Sequence, residues 1–339
     1  MTDFSLSDLG WSDHRARALE PGETGRPARI TSVHRNRAEA LGEAGALDLS
    51  LPDGAPLAVG DWVLQDGTRI LSVLPRDTQL GRKAAGREHR DQLIAANVDT
   101  LGIVTSCNDD FREARVERYL ALAAQSGCLP LVVLTKADTC PDPATYRRAA
   151  ERLSPLVTAL TLDARQPDEA RRLDPWCRGG QTLALVGMSG VGKTTLQNAL
   201  TATEEATQGI READARGRHT TTARALRRTL AGGWLIDTPG MRELGLVDAA
   251  EGIDEVFSDI GTLAGECRFR DCGHESEPGC AVQEAVRRGE LDPERLRRWR
   301  KLLREDQINS ETVAEARARQ RGLQKLYDEG ARRGRDKRR

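Results

Sequence analysis

The chain has 339 residues, with 51 Lys and Arg against 52 Asp and Glu, and 30% of it is charged. That length accommodates two or three domains, each with its own core, and the formal charge of −1 sets no strong preference for an acidic or basic partner. No apolar run approaches the ~20 residues of a membrane helix, Met1 to Leu9 lacks the basic-then-apolar order of a secretory signal, and seven cysteines, an odd number in a long chain, argue against a disulfide framework. The expectation is a cytoplasmic monomer with no membrane contact.

Up to about Arg76 the pattern is of short strands. Ala28 to Val33, Ala46 to Leu51, Asp61 to Leu64 and Arg69 to Leu74 alternate apolar and polar residues between Gly, Pro and Asp turns. A small closed β-barrel is the economical arrangement, because closure removes sheet edges. Only Trp62 offers a ring for base stacking within these strands, so a structural barrel and an RNA-binding one both stay open. The basic stretch Arg82 to Arg90 has no apolar period and reads as a linker.

An α/β pattern follows. Strands are expected at Leu101 to Thr105, Leu129 to Leu134 and Leu156 to Leu162, with helices at Glu113 to Gln125, Tyr146 to Leu153 and Pro167 to Leu173. The first helix places Val116, Tyr119, Leu120 and Ala123 on one face. Alternation at these lengths means a doubly wound parallel sheet, which binds ligands at the carboxyl ends of its strands.

Next comes Gly187-Met188-Ser189-Gly190-Val191-Gly192-Lys193-Thr194, the phosphate-loop pattern G-x-x-x-x-G-K-[ST], between a strand at Thr182 to Val186 and a helix running on through Thr195. Glycines let successive backbone N–H groups converge on phosphate oxygens, and the helix start adds its positive dipole end. Lys193 is expected at the β- and γ-phosphates, and the Thr194 hydroxyl at magnesium. Asp237-Thr238-Pro239-Gly240 ends the following strand-like run, Gly233 to Ile236. Asp237 suits the magnesium shell and Gly240 the γ-phosphate. Gly217-Arg218-His219-Thr220-Thr221-Thr222 between them is a hydroxyl-rich loop suited to a GTPase switch.

Thr135-Lys136-Ala137-Asp138 resembles the guanine-reading N-K-x-D motif. A carboxylate accepts from guanine's ring N–H and amine, a donor pair that adenine lacks. Alone, the tetrapeptide is equally an ordinary polar turn, and Thr135 forgoes the amide contact of the usual Asn. Its place is also unusual, because it precedes the phosphate loop. That order reads as a circular permutation, which a parallel sheet tolerates because its site is built from strand ends.

Downstream, Cys267, Cys272, His274 and Cys280 stand as C-x4-C-x-H-x5-C, a closed tetrahedral set for structural zinc. Cys107, Cys128, Cys140 and Cys177 are scattered and read as packing or surface residues. Beside the zinc set, Arg268, Phe269 and Arg270 suit RNA or a solvated face. Helices are expected at Ala281 to Arg288, Pro293 to Glu305, with Leu296, Trp299, Leu302 and Leu303 as core, and Glu311 to Tyr327. Ala331 to Arg339 then holds six basic residues against one acid, either a solvated tail or an arm for nucleic acid.

The permuted order, the phosphate loop, GRHTTT, DTPGMRE and the cysteine pattern together resemble the ribosome small-subunit-dependent GTPases of the RsgA/YjeQ family, over about Arg29 to Glu305. Ala95-Ala96-Asn97-Val98-Asp99 and Gly60-Asp61-Trp62-Val63 fit as well. The resemblance implies an OB-fold with linker at 1–90, a circularly permuted GTPase domain at 91–250 and a zinc-binding domain with a basic helical tail at 251–339. It further implies GTP hydrolysis during late small-subunit maturation, with the small subunit and its rRNA as partners, and favours Thr221 over Thr220 at magnesium. Asp163-Ala164 stands where the family's second guanine loop usually reads Ser-Ala, and Gly190 where potassium-dependent GTPases place Asn, so no potassium site is expected.

Met241 occupies the place after D-x-x-G where many GTPases carry a water-orienting Gln. His219 is the candidate to position the water, and a loop histidine contacting rRNA or solvent is the alternative. The same residues are compatible with two rivals: an ATP-dependent phosphoryl-transfer enzyme, and an RNA-binding adaptor whose nucleotide only locks its shape.

Overall fold

The computed structural model describes residues 4–17, 19, 23–51, 56–83, 91–201, 225–237, 246 and 248–310. The expected helix at Glu311 to Tyr327 and the basic tail lie outside the described residues. A short helix, α1 (Asp13–Arg17), precedes β1 (Arg26–Val33), β2 (Arg37–Gly42), β3 (Gly45–Ser50), β4 (Trp62–Gln65) and β5 (Ile70–Val73). β1 runs antiparallel to both β2 and β4, β2 to β3, and β4 to β5. A parallel bridge between Ser50 and Arg69 closes the circle. The barrel core is Ala28, Ile30, Ala38, Ala40, Leu49, Val63 and Ile70. β2 escaped the sequence reading because its inward residues, Ala38 and Ala40, are too small to mark an apolar period.

The linker expectation needs correction. β6 (Gln79–Lys83) and β7 (Asp91–Ala96) form an antiparallel pair, with Arg82 opposite Gln92 and Lys83 opposite Asp91. Arg82 and Lys83 are therefore strand residues. A ladder is made by backbone groups, so a basic composition does not preclude it; residues 84–90 lie outside the description.

β8 (Thr100–Ser106), α2 (Glu113–Gln125), β9 (Leu129–Thr135), α3 (Pro143–Glu151), β10 (Thr158–Thr161) and α4 (Pro167–Ala170) come next. A 3₁₀ stretch, Arg171–Trp176, replaces the last turn of the helix expected to Leu173, with Pro175 inside it. β11 (Thr182–Val186), α5 (Lys193–Thr201), β12 (Ala225–Arg228) and β13 (Trp234–Asp237) complete the sheet. Its order is β10-β9-β8-β11-β13-β12-β1-β2-β3, parallel from β10 to β13. β12 is antiparallel to both β13 and β1, so the barrel and the α/β unit share one sheet, through a strand the sequence reading did not expect.

The buried strands feed two cores. In β11, Ala184 and Val186 face the core that holds Val116 and Leu120 of α2, whereas Leu183 and Leu185 face the one holding Leu196 and Leu200 of α5. This is the two-residue strand period read out on both faces of a covered parallel sheet. It explains why β11 is an unbroken apolar run.

Beyond the sheet come α6 (Ala250–Val256), α7 (Ser258–Gly265), α8 (Ala281–Arg288) and α9 (Pro293–Ser310). α6 and α7 were not expected. α6 crosses α2 so closely that a Cβ on Gly252 would sit 2.3 Å from the Ala121 carbonyl oxygen. Leu296 and Leu302 of α9 are buried, and Trp299 and Leu303 pack against the same core, as expected.

Two joints fix the α/β unit. Toward the barrel, Arg29 is buried and donates to Leu9 O (2.6 Å), Asn97 O (3.1 Å) and Thr182 Oγ1 (2.6 Å). Trp62 is buried there with Trp11 edge-on to it, so it is closed to base stacking. Toward the C-terminal helices, the buried Glu117 of α2 accepts from Arg295 (3.1 Å) and Arg298 (2.7 Å) of α9.

Candidate nucleotide and metal sites

The phosphate loop leaves β11 at Gly187 and enters α5 at Lys193. Gly187, Gly190 and Gly192 have φ of +142°, +80° and +94°, backbone that L side chains rarely adopt. A Cβ on Gly187 would also lie 2.1 Å from the Val104 carbonyl oxygen, because the loop passes directly over β8. Lys193 Nζ donates to Gly187 O at 2.8 Å and to Met188 O, which holds the ammonium on the loop. Met188, Ser189 and Gly190 are exposed, and Val191 is buried beneath them. Thr194 and Thr195 are half-buried in the first turn of α5.

β9 ends at Thr135, two strands from β11, with β8 between them. Thr135 is buried, and its hydroxyl lies 2.6 Å from Val191 O and 3.0 Å from Thr105 O. Its single proton is shared between the two carbonyls. The residue that replaces the motif's Asn therefore braces the phosphate loop against β8 and β9, a role its spacing did not reveal. Lys136 takes a left-handed backbone (φ +57°), which turns the chain into the 3₁₀ turn carrying Asp138. Its Nζ lies 3.7 Å from Asp110 Oδ2.

Asp138 lies beside the second expected guanine loop. Arg165 NH2 donates to Asp138 Oδ2 at 2.6 Å, while its Nε and NH2 hold Asp163 Oδ1 and Oδ2, each at 3.0 Å. The Arg165 hydrogen bonds keep the Asp163 carboxyl below its ordinary pKa. Asp110 and Arg165 are the site residues that motif reading missed. One signal for Arg165 was present: Asp163 adds a carboxylate next to Asp138, and two neighbouring anions call for a cation.

β13 runs parallel to β11 and ends at Asp237, so its backbone reaches the same edge of the sheet as the phosphate loop. The Asp237 side chain, Gly240, Met241, His219 and Thr221 lie outside the description. The sheet thus brings together the ends of β9, β11 and β13, which carry the base motif, the phosphate loop and Asp237, although chain order separates them.

The metal set is assembled from the turn after α7 and the start of α8. Ligand atoms of Cys267, Cys272, His274 and Cys280 all lie within 4.8 Å of one another. Cys267 Sγ is 3.9 Å from Cys280 Sγ, and His274 Nδ1 is 3.5 and 3.6 Å from these two sulfurs. Tetrahedral zinc with ordinary bond lengths has edges of about 3.8 Å between sulfurs and about 3.5 Å between sulfur and nitrogen. The donor set fits zinc. The ring is fixed from behind, since Gln283 and Arg300 both donate to the His274 carbonyl, and Trp299 lies 5.6 Å from the imidazole. Phe269 is exposed, with Arg268 over its ring.

The family model described as RsgA GTPase matches residues 73–247. A protein of Mesorhizobium japonicum named small ribosomal subunit biogenesis GTPase RsgA is 51% identical over 316 residues, covering 90% of this chain and 91% of that protein. The crystal structure of YjeQ from Thermotoga maritima superposes with a TM-score of 0.63 at 26% identity, over 83% of this chain and 98% of that one. The crystal structure of YloQ, described as a circularly permuted GTPase, shares the fold with a TM-score of 0.59 at 22% identity, over 86% of this chain and 98% of its own.

Proposed function

The chain belongs to the RsgA GTPase family, and from that premise we propose that it binds the small ribosomal subunit late in maturation and hydrolyses GTP to time its own release. The observation that carries this reading is the common edge formed by the ends of β9, β11 and β13. There a base motif, a phosphate loop and an acid converge in permuted chain order.

In this proposal the backbone from Gly187 to Gly192 and the Lys193 ammonium hold the β- and γ-phosphates. Thr194, Thr221 and Asp237 hold magnesium, whose charge neutralises the phosphate oxygens. Gly240 offers its N–H to the γ-phosphate, and Asp138 with Lys136 selects guanine over adenine. His219 orients the attacking water in the place left by Met241. Cys267, Cys272, His274 and Cys280 hold one structural zinc per chain, and with no open position its charge serves folding alone.

Residues 1–90 hold the OB-fold barrel together with β6, 91–250 the GTPase domain and 251–339 the zinc-binding domain. The closed order β1-β2-β3-β5-β4 supports the barrel assignment. Among the described residues no helix is long and apolar enough to cross a membrane, and the reading is of a cytoplasmic monomer whose partner surface includes rRNA.

GTP turnover measured with and without purified small subunits, beside large subunits as control, tests the reading. Stimulation by small subunits alone is expected, and equal rates in all three conditions would refute it. His219→Ala is expected to retain GTP and subunit binding while losing most of the stimulated rate. Undiminished stimulation would remove His219 from the mechanism.

A further inference from the structure

We propose that Arg165 is a positioning residue for base recognition, holding the Asp138 carboxylate in the one orientation that can accept two N–H groups of guanine. The inference rests on Asp138 being the base reader. It adds a residue that no motif contains.

The geometry is a relay of anchors. At its root, Asp163 is buried, and its own N–H donates to Glu169 Oε2 of α4 at 2.7 Å. Its carboxylate receives the Arg165 backbone N–H at 3.0 Å and the guanidinium fork, Nε to Oδ1 and NH2 to Oδ2, each at 3.0 Å. A fork held at both prongs has little freedom left to rotate. The second hydrogen on NH2 is then aimed at Asp138 Oδ2, 2.6 Å away.

Without this partner, Asp138 would be a partly exposed side chain on a 3₁₀ turn whose carboxylate accepts no other hydrogen bond among the described residues. It would also stand beside a second carboxylate of like charge. Arg165 answers both problems. Its single positive charge lies between the Asp138 and Asp163 carboxylates and relieves their repulsion, and it occupies one lone pair of Oδ2. Oδ1 and the remaining lone pair of Oδ2 stay available to the guanine ring N–H and exocyclic amine. A lysine cannot reproduce this, because a single ammonium lacks the planar fork that grips Asp163 while reaching Asp138.

The test compares base affinities, since a loop that merely lost stability would weaken all nucleotides alike. Binding of GDP and of inosine diphosphate, which lacks the exocyclic amine, is measured for the full-length parent, Arg165→Met and Arg165→Lys. In Arg165→Met, GDP affinity is expected to fall about tenfold, the worth of one charge-assisted hydrogen bond. Inosine diphosphate should lose less, so the preference for guanine narrows. Arg165→Lys should recover only part of the loss. An unchanged GDP affinity, or equal losses for both nucleotides, would overturn the proposal.

Asp138→Asn, run in parallel with a xanthine nucleotide, separates the two levels of inference. If Asp138→Asn switches preference to xanthine but Arg165→Met behaves as parent, only the role of Arg165 fails. If Asp138→Asn leaves GDP binding intact, the base-reading assignment fails with it.

Discussion

Each joint of the α/β unit holds an arginine, Arg29 buried and Arg295 half-buried, and the two are treated oppositely. Arg29, at the barrel joint, meets two backbone carbonyls and a threonine hydroxyl, with no carboxylate in hydrogen-bond contact among the described residues. Burial pushes its pKa down to about 10, against the milder opposing pull of Asp99. Arg295, at the helical joint, is also penalised by burial, but Asp259 and Glu117 outweigh that and raise its pKa. It donates to Asp259 at 2.8 Å through two nitrogens and to Glu117 at 3.1 Å, and it lies 4.7 Å over the Phe257 ring.

The difference follows from what else holds each joint. The barrel shares a sheet with the α/β unit through Ser32 opposite Ala225, and Trp11, Trp62 and Trp234 pack around the seam. A backbone ladder and packed aromatics fix that orientation, so the cation there needs only to satisfy carbonyls. The C-terminal helices have no shared strand with the unit among the described residues. Their placement depends on side chains alone, and directed ion pairs supply the geometry that a ladder supplies elsewhere.

This contrast makes predictions of graded size. The largest effect should come from zinc. Structural zinc contributes on the order of 10–16 kcal/mol in small metal-folded units. Cys272→Ala or chelation should therefore expose the amides around α8 to hydrogen exchange and loosen α9, while the barrel seam and nucleotide binding persist. Retained protection in α8 after verified zinc loss would break the distinction between the joints.

Next in size is Glu117→Ala. Among the described residues it leaves Asp259 as the one carboxylate on Arg295, beside the Leu153 and Val256 carbonyls, and Glu113, at 2.9 Å, as the one carboxylate on Arg298. Removing one partner from a buried pair costs about 3–5 kcal/mol, read as a shift in the denaturant midpoint of the C-terminal helices. Arg29→Met, at the barrel joint, should cost less, about 1–2 kcal/mol, because the lost bonds run to neutral acceptors while a desolvated charge is removed as well. An Arg29→Met loss equal to that of Glu117→Ala would show that the barrel joint also depends on its cation. The smallest effect belongs to Arg118→Ala, which removes the partly exposed pair with Glu305 at 2.5 Å. About 0–1 kcal/mol is expected, diminishing with added salt.

Motif reading succeeded where chemistry is local. A phosphate loop is a matter of backbone conformation, and the glycines that permit it must lie within a few positions of one another, so Gly187 to Thr194 was legible at once. The zinc set was legible for a similar reason, since its ligands span only Cys267 to Cys280. The base-reading corner was half legible. Lys136 and Asp138 lie in one tetrapeptide, but Asp110 and Arg165, which hold them, are 26 and 27 residues away from their respective partners in the chain. Nothing periodic links them. Thr135 was noticed for the amide it lacks, whereas its buried hydroxyl bracing Val191 and Thr105 depends on strand order in the sheet.

Strand and helix positions followed the same division. Long apolar runs such as β8, β9 and β11 stood out because burial on both faces demands them. β2, β6 and β12 did not, because a strand of small or polar residues is selected by its neighbours' backbone groups. The residues alone determined which stretches of this protein bind phosphate and metal, since both ligands are gripped by groups a few positions apart. Only the tertiary structure decided how the barrel, sheet and helices are joined and which cations steady the base reader. Those interactions pair groups as far as 226 residues apart, as where the Trp234 indole N–H donates to Asp8 O, and a contact at that distance exists only once the chain has folded.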